Sequence, residues 1–266
     1  MASAGKDDVA AGIGALLAGP ALQDAGSGRP ILMLHGGGGP STVAALSQTL
    51  SRAARVLTPT HPGFDGTPRP QSLDSVAALA TLYVALLDRL GVDEIVVVGS
   101  SVGGWIAVEM ALQAPARVKG LVLLNATGIA VEGHPLVDVR PLALPDLMRL
   151  AHHDPAKILA AAPAPSAEQQ GIRVSNAAAL AAYDNGMNGQ DPGLRARLAE
   201  VAAPALVVWG ESDGIAGLDY GAAYAESFAN ATFERVPQAG HFPHIEQKES
   251  VSAAISSFLR RLGWVS

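Results

Sequence analysis

The stretch Glu94-Ile95-Val96-Val97-Val98-Gly99-Ser100-Ser101-Val102-Gly103 decides the fold of this chain. Its first half is an apolar, β-branched run of the length of a buried strand, and Trp105 to Ala114 beyond it has alanine-rich helical character. Between the two stands Ser101, with Gly99 and Gly103 two residues to either side. A serine at a strand-to-helix junction with small flanking residues has the pattern of a nucleophile elbow. The chain turns so sharply there that the serine takes a strained backbone conformation and larger neighbours would collide. The turn lifts the hydroxyl above the sheet edge and points a helix N-terminus at the same place. Other uses of a glycine-rich turn fit less well. A dinucleotide fingerprint needs glycine where Ser101 stands. The second glycine-rich loop, Gly36-Gly37-Gly38-Gly39-Pro40-Ser41-Thr42, lacks the lysine of a P-loop. The pattern points to attack on a carbonyl carbon.

Working outward from the elbow, strand-like and helix-like runs alternate. Ile31–Leu34 reads as a buried strand, followed by a helix over Thr42–Leu50 with Ser41 as its N-cap. Arg55–Thr58 is a second strand, and the Pro- and Gly-rich segment from Pro59 to Pro70 is a loop. Leu73–Leu90 carries helical periodicity closed by Gly91, and Val118–Leu124 is another strand. Apolar strands separated by helices predict an α/β fold, a mostly parallel sheet flanked by helices. From Thr127 to Ala203 the alternation stops in an alanine-rich stretch punctuated by prolines, with helices and no convincing strands. It resumes with a strand at Ala205–Trp209, a helix near Tyr220–Phe228, a strand at Thr232–Val236 and a helix from Ser250 to Leu262. The expected organisation is a core formed by 1–126 and 204–266, with 127–203 inserted as a helical cap.

Composition narrows the function. The chain of 266 residues is long enough to bury a core without metal or disulfide support. It is 49% hydrophobic and only 16% charged, which excludes a disordered polyelectrolyte. A net charge of −6 without a basic patch disfavours nucleic acid and anionic membrane surfaces as partners and leaves a small-molecule substrate. Zero cysteines remove thiol catalysis and thiolate metal sites. No cofactor or metal is called for, and no oligomeric state is implied. Val9 to Leu22 faintly resembles a signal-peptide core, but Asp7 and Asp8 precede it and Pro20 interrupts it, so a cytoplasmic location is expected.

The elbow serine needs a base, because a neutral hydroxyl is a weak nucleophile near pH 7. Of the seven histidines, His241 fits best, in the loop Ala239-Gly240-His241-Phe242-Pro243 between the last strand and the last helix. That loop leaves the carboxyl edge of the sheet, where open parallel sheets assemble their sites. His244 is the rival base. A carboxylate must hold the imidazole tautomer, and Asp213, just past the strand ending at Trp209, is the first choice. Glu211 is the second, with Asp219 and Glu246 behind it.

The elbow, the chain order serine, acid, histidine and the loops that carry them resemble the α/β-hydrolase fold superfamily, from about Gly28 to the last helix. The resemblance implies an oxyanion hole built from the His35-Gly36-Gly37-Gly38 loop, through the backbone N–H of Gly37 or else Gly38, together with that of Val102. It implies acyl transfer through a covalent intermediate on a small, largely apolar ester-like substrate, with a helical cap at the family's usual position. Cleavage of a carbon–carbon bond in a β-diketone-like substrate is the alternative. Those enzymes often carry tryptophan after the base, where this chain has Phe242. A receptor that keeps the triad without turnover is the other alternative. Epoxide and haloalkane hydrolases are disfavoured, because their nucleophile is an aspartate. Gly38, Trp105 and Phe242 are candidate substrate contacts, Trp105 equally a core residue. His61 with Asp65 reads as a structural turn, His152-His153-Asp154 as a solvated helix end, and Glu109 as a helix-face residue with a hydrogen-bond partner. Tyr183, Met187 and Asn188 lie in the cap without an assigned role.

Overall fold

The structure is a computed structural model and describes residues 6–161 and 166–266. Strands and helices alternate through the first half as α1 (Lys6–Leu17), β1 (Leu22–Ala25), β2 (Pro30–Leu34), α2 (Ala44–Leu50), β3 (Arg55–Pro59), α3 (Val76–Leu90), β4 (Ile95–Ser100), α4 (Val102–Gln113) and β5 (Val118–Leu124). An inserted, mainly helical region follows: β6 (Gly128–Ile129), α5 (Leu144–Ala151), α6 (Pro155–Ala161), α7 (Ala167–Asp184), β7 (Gln190–Asp191) and α8 (Leu194–Arg197). The chain then returns to the sheet with β8 (Ala205–Gly210), α9 (Leu218–Glu226), β9 (Ala231–Val236), α10 (Pro243–Glu246) and α11 (Lys248–Arg261).

Seven strands form one sheet in the order β1-β3-β2-β4-β5-β8-β9, parallel except for β1. Side chains alternate across each strand, and both faces of the central strands are apolar. Leu32, Leu34, Ile95, Val97, Leu121, Leu123, Val207 and Trp209 point to one layer, with Tyr83 of α3, Ile106 of α4 and Tyr220 of α9. Ile31, Met33, Val96, Val98, Val122, Leu124, Leu206 and Val208 point to the other, with Leu46 and Leu50 of α2 and Ile255 and Phe258 of α11. Helix α4 has no solvent face over 102–111, so its pattern is apolar all round. The chain leaves β2 for β3 on one side and later enters β4 on the other. That reversal opens a crevice at the carboxyl ends of β2 and β4, the place where such sheets bind ligands.

Four features depart from the sequence expectation. Ser41 caps no α-helix: Pro40–Thr42 form a 3-10 turn, and α2 starts only at Ala44, without a side-chain cap. Pro40, with its φ preset for a first helical position, starts the turn ahead of Ser41. Helix α3 starts later than expected, at Val76, because the Ser75 hydroxyl accepts the Ala78 N–H and caps it. The edge strand β1 carries no apolar alternation, and pairing with β3 plus the Asp24–Arg55 ion pair at 2.6 Å holds it. In the inserted region, β6 and β7 pair over two residues each.

Candidate active site

Ser101 has φ 54° and ψ −121°, a conformation that costs a non-glycine residue on the order of 1–3 kcal/mol. The packing around it leaves no alternative. A Cβ at Gly99 would lie 2.3 Å from the Gly103 carbonyl oxygen, and one at Gly103 would lie 2.3 Å from that of Leu34. Ser101 is therefore pressed against the end of β2, and its N–H donates to the Leu124 carbonyl at 2.9 Å. Gly36 abuts it, since a Cβ there would be 3.0 Å from the Ser101 Cβ. The hydroxyl makes no hydrogen bond to another described residue, His241 included. Catalytic hydrogen bonds in unliganded sites are often loose and tighten when substrate arrives.

Two of the residues singled out from sequence meet directly. His241 Nδ1 lies 2.8 Å from Asp213 Oδ2, and both side chains are buried. The carboxylate only accepts, so Nδ1 carries a proton, and Nε2 is the lone-pair nitrogen of the neutral ring. Asp213 is itself held from three more directions. Its Oδ1 accepts the N–H groups of Ile215 and Ala216 at 2.8 and 3.2 Å, and its Oδ2 accepts Asn125 Nδ2 at 2.7 Å. Asn125, at the end of β5, has φ 43° and accepts the Gly210 N–H through Oδ1 at 3.2 Å. Sequence reading passed it over. Its signal was a lone polar residue directly after an apolar strand, of a type that tolerates left-handed backbone.

The glycine loop after β2 is anchored by a buried polar chain. His35 Nδ1 donates to the Gly36 carbonyl at 2.7 Å, while its Nε2 accepts the His61 N–H at 3.0 Å. His61 Nε2 donates to the His35 carbonyl at 2.9 Å, and its Nδ1 accepts from the Tyr83 hydroxyl at 2.5 Å. Both rings are neutral in this pattern. Burial lowers His35 to about 4 and pushes His61 well below its ordinary value. Across a trans peptide the C=O and the next N–H point in opposite directions. Pinning the Gly36 carbonyl to the ring therefore aims the Gly37 N–H away from it. Among the described residues neither the Gly37 nor the Val102 N–H has an acceptor. At Val102 that is the state of a first-turn helix donor, at the positive end of the dipole.

The other candidates fall elsewhere. Gly38 is exposed, Trp105 is 2% exposed within the core, and Phe242 is partly exposed with its ring edge-on to His241. His244 donates Nε2 to the Thr42 carbonyl at 3.0 Å, and burial lowers it to about 4. Glu211 and Asp219 pair loosely with Arg235 and His134. Glu246 accepts the backbone N–H groups of His153 and Gly240 and makes no hydrogen bond to the His241 ring, which Asp213 holds instead. Asp65 pairs with Asn176 of α7 at 2.9 Å. Glu109 is gripped at both oxygens by Arg197. His152 departs from expectation: it is buried, its ring tilted over Phe242, while His153 and Asp154 are exposed. Tyr183 donates to the Pro62 carbonyl at 2.8 Å, the Asn188 N–H caps Asp184, and Met187 packs on the core. A 410 Å³ depression lined by Arg29, Arg55, Glu94 and Trp264 lies at the opposite, amino edge of the sheet. Among the described residues no group of three or more His, Cys, Asp or Glu is placed to hold a metal, and no helix is long and apolar enough to cross a membrane.

Known proteins resemble this chain in sequence and in fold. The chain is 28% identical to a 2-hydroxymuconate semialdehyde hydrolase of Pseudomonas sp. strain CF600 over 273 aligned positions, covering 96% of this chain and 93% of the relative. A thermophilic esterase from Thermogutta terrifontis superposes with a TM-score of 0.74 at 26% identity, over 91% of this chain and 93% of the other. The meta-cleavage product hydrolase CumD of Pseudomonas fluorescens IP01 shares the fold with a TM-score of 0.77 at 21% identity, over 90% and 93% of the two chains. Residues 31–254 match the alpha/beta hydrolase family, and the chain belongs to that family.

Proposed function

We propose that this alpha/beta hydrolase is a serine hydrolase that cleaves a small, largely apolar ester-like substrate through an acyl-enzyme. The observation that carries this reading is the buried Asp213–His241 pair at the carboxyl edge of the sheet that also presents the strained Ser101. His241 Nε2 takes the proton from Ser101, whose Oγ attacks the carbonyl carbon. The developing oxyanion is received by the N–H groups of Gly37 and Val102, each such donor contributing roughly 3 to 4 kcal/mol in the transition state. The tetrahedral intermediate expels the alcohol, which takes the proton from His241. Water activated by the same imidazole then releases the acid. Residues 127–203 act as the cap. Leu180 of α7 lies directly over Gly37, where a Cβ would be 2.9 Å from Leu180 Cδ2, so the wall beside the oxyanion donor is apolar. We place the enzyme in the cytoplasm.

A second reading has its own support. The resemblance to a 2-hydroxymuconate semialdehyde hydrolase runs the length of the chain and favours carbon–carbon cleavage with the same three residues, while Phe242 stands where tryptophan is usual. Both readings are tested together by steady-state assays on p-nitrophenyl esters of increasing acyl length and on 2-hydroxymuconate semialdehyde. A higher kcat/KM for the short esters is expected. The Ser101→Ala variant should lose on the order of 10⁵-fold or more in kcat while keeping its fold, and a fluorophosphonate should label Ser101 alone. Labelling elsewhere, or an active alanine variant, overturns the assignment. A single burst without turnover favours a receptor.

A further inference from the structure

The C-terminal end of α5 lies against both loops assigned to acid and base. The Leu150 carbonyl accepts the Gly214 N–H at 2.9 Å, next to Asp213 in sequence, and the Ala151 carbonyl accepts the His241 N–H at 2.8 Å. The last carbonyls of a helix have no partner inside it. Here the loops carrying Asp213 and His241 supply that partner. The approach is close: a Cβ at Gly240 would lie 2.4 Å from the Ala151 carbonyl oxygen.

A side chain reinforces the same junction. The Glu246 side chain is only 8% exposed. Its Oε2 accepts the Gly240 N–H at 2.8 Å, immediately before His241, and its Oε1 accepts the His153 N–H at 2.9 Å, just beyond α5. One carboxylate thus joins the residue that precedes the base to the residue that follows a helix of the inserted region. Hydrogen bonds from backbone N–H to a buried carboxylate are charge-assisted and stronger than neutral ones.

We propose that Glu246 is a positioning residue that latches the inserted region to the base, so that α5 must be seated for His241 to be held in place. The proposal rests on the reading of His241 as the base. It makes the inserted region part of the machinery that aligns the acid and the histidine, beyond any contact it makes with substrate. Lifting α5 away breaks the bonds to Gly214 and His241 and one arm of the Glu246 clasp together.

The test compares Glu246→Gln, which keeps the shape and one acceptor, with Glu246→Ala. Expected are a fall in kcat of about tenfold for Gln and about a hundredfold for Ala, with KM within about twofold. Amide hydrogen exchange in Glu246→Ala should show His153 and Gly240 losing protection together. A second pair removes only the other end of the latch. His153→Pro deletes the N–H, and His152 before it already has φ −128° and ψ 146°, the conformation a following proline requires. His153→Ala keeps the N–H. The kcat of His153→Pro should be about tenfold below that of His153→Ala. Unchanged kcat in Glu246→Ala, loss of protection at Gly240 alone, or equal kcat in the two His153 variants overturns the proposal. If Glu246→Ala does not fold, the His153 pair decides. Failure of the underlying reading looks different: turnover survives in His241→Ala, while the paired exchange of His153 and Gly240 still reports whether the latch exists.

Discussion

Lowering the pH from 7 to 5 should remove about 4 kcal/mol of folding free energy through two histidines that transfer no proton in the reaction. His35 and His244 are 0% and 3% exposed. Desolvation lowers each from 6.5 to about 4, against the opposing hydrogen bonds to Gly36 and Thr42. The bonding pattern agrees. His35 Nε2 accepts the His61 N–H and cannot take a proton without losing that bond, and His244 Nδ1 has no partner for an added proton. A folded-state pKa below the unfolded value means that the unfolded chain binds the proton first. The stability these residues carry is complete above about pH 6.5 and is lost as the pH falls toward 4. At about 1.36 kcal/mol per pH unit and proton, each loses about 2 kcal/mol between pH 7 and 5. His61 and His152, also lowered by burial, act in the same direction. Against a typical total of about 5–15 kcal/mol this is a large fraction. Urea melts followed by tryptophan fluorescence at pH 7, 6 and 5 measure it, and His244→Asn should reduce the loss between pH 7 and 5 by about 2 kcal/mol. A free energy that stays flat within about 1 kcal/mol across that range would refute the reasoning.

Two further outcomes are expected. Asn125→Ala removes one of the four bonds on Asp213, leaves the buried Gly210 N–H unpaired and puts alanine at φ 43°; kcat should fall about ten- to a hundredfold with little change in KM, and the melting temperature should drop. Wild-type kcat in that variant would remove Asn125 from the site. Gly103→Ala places a Cβ 2.3 Å from one backbone oxygen and 2.6 Å from another, neither free to move, and should cost about 4 kcal/mol or more, while Gly217→Ala, with open space around it, should melt near wild type.

The central strands were legible because they are buried on both faces, which forces apolar runs such as Ile95–Val98 and Ala205–Trp209. Gly91 was legible as a helix stop because its φ of 63° favours glycine. Strand β1 was not, since edge pairing and an ion pair, not burial, hold it in the sheet. Ser41 misled because a serine before a helical run is only an opportunity to cap, and Pro40 started the turn first. His152 was read as solvated from its polar neighbours, whereas Phe242 and Glu246, about ninety residues away, bury it.

The sequence by itself determined the alternating α/β order, the elbow at Ser101 and the positions of Asp213 and His241 just beyond strand ends. Each of these depends on local periodicity and turn chemistry, which a short stretch of chain expresses on its own. Only the tertiary structure decided that Asp213 rather than Glu211 meets His241, that Asn125 braces it, and that Glu246 clasps α5 to the histidine loop. Those contacts join residues brought together by strand order and helix docking. Their bonds are worth making only because the partners are already buried side by side, and no local pattern records that.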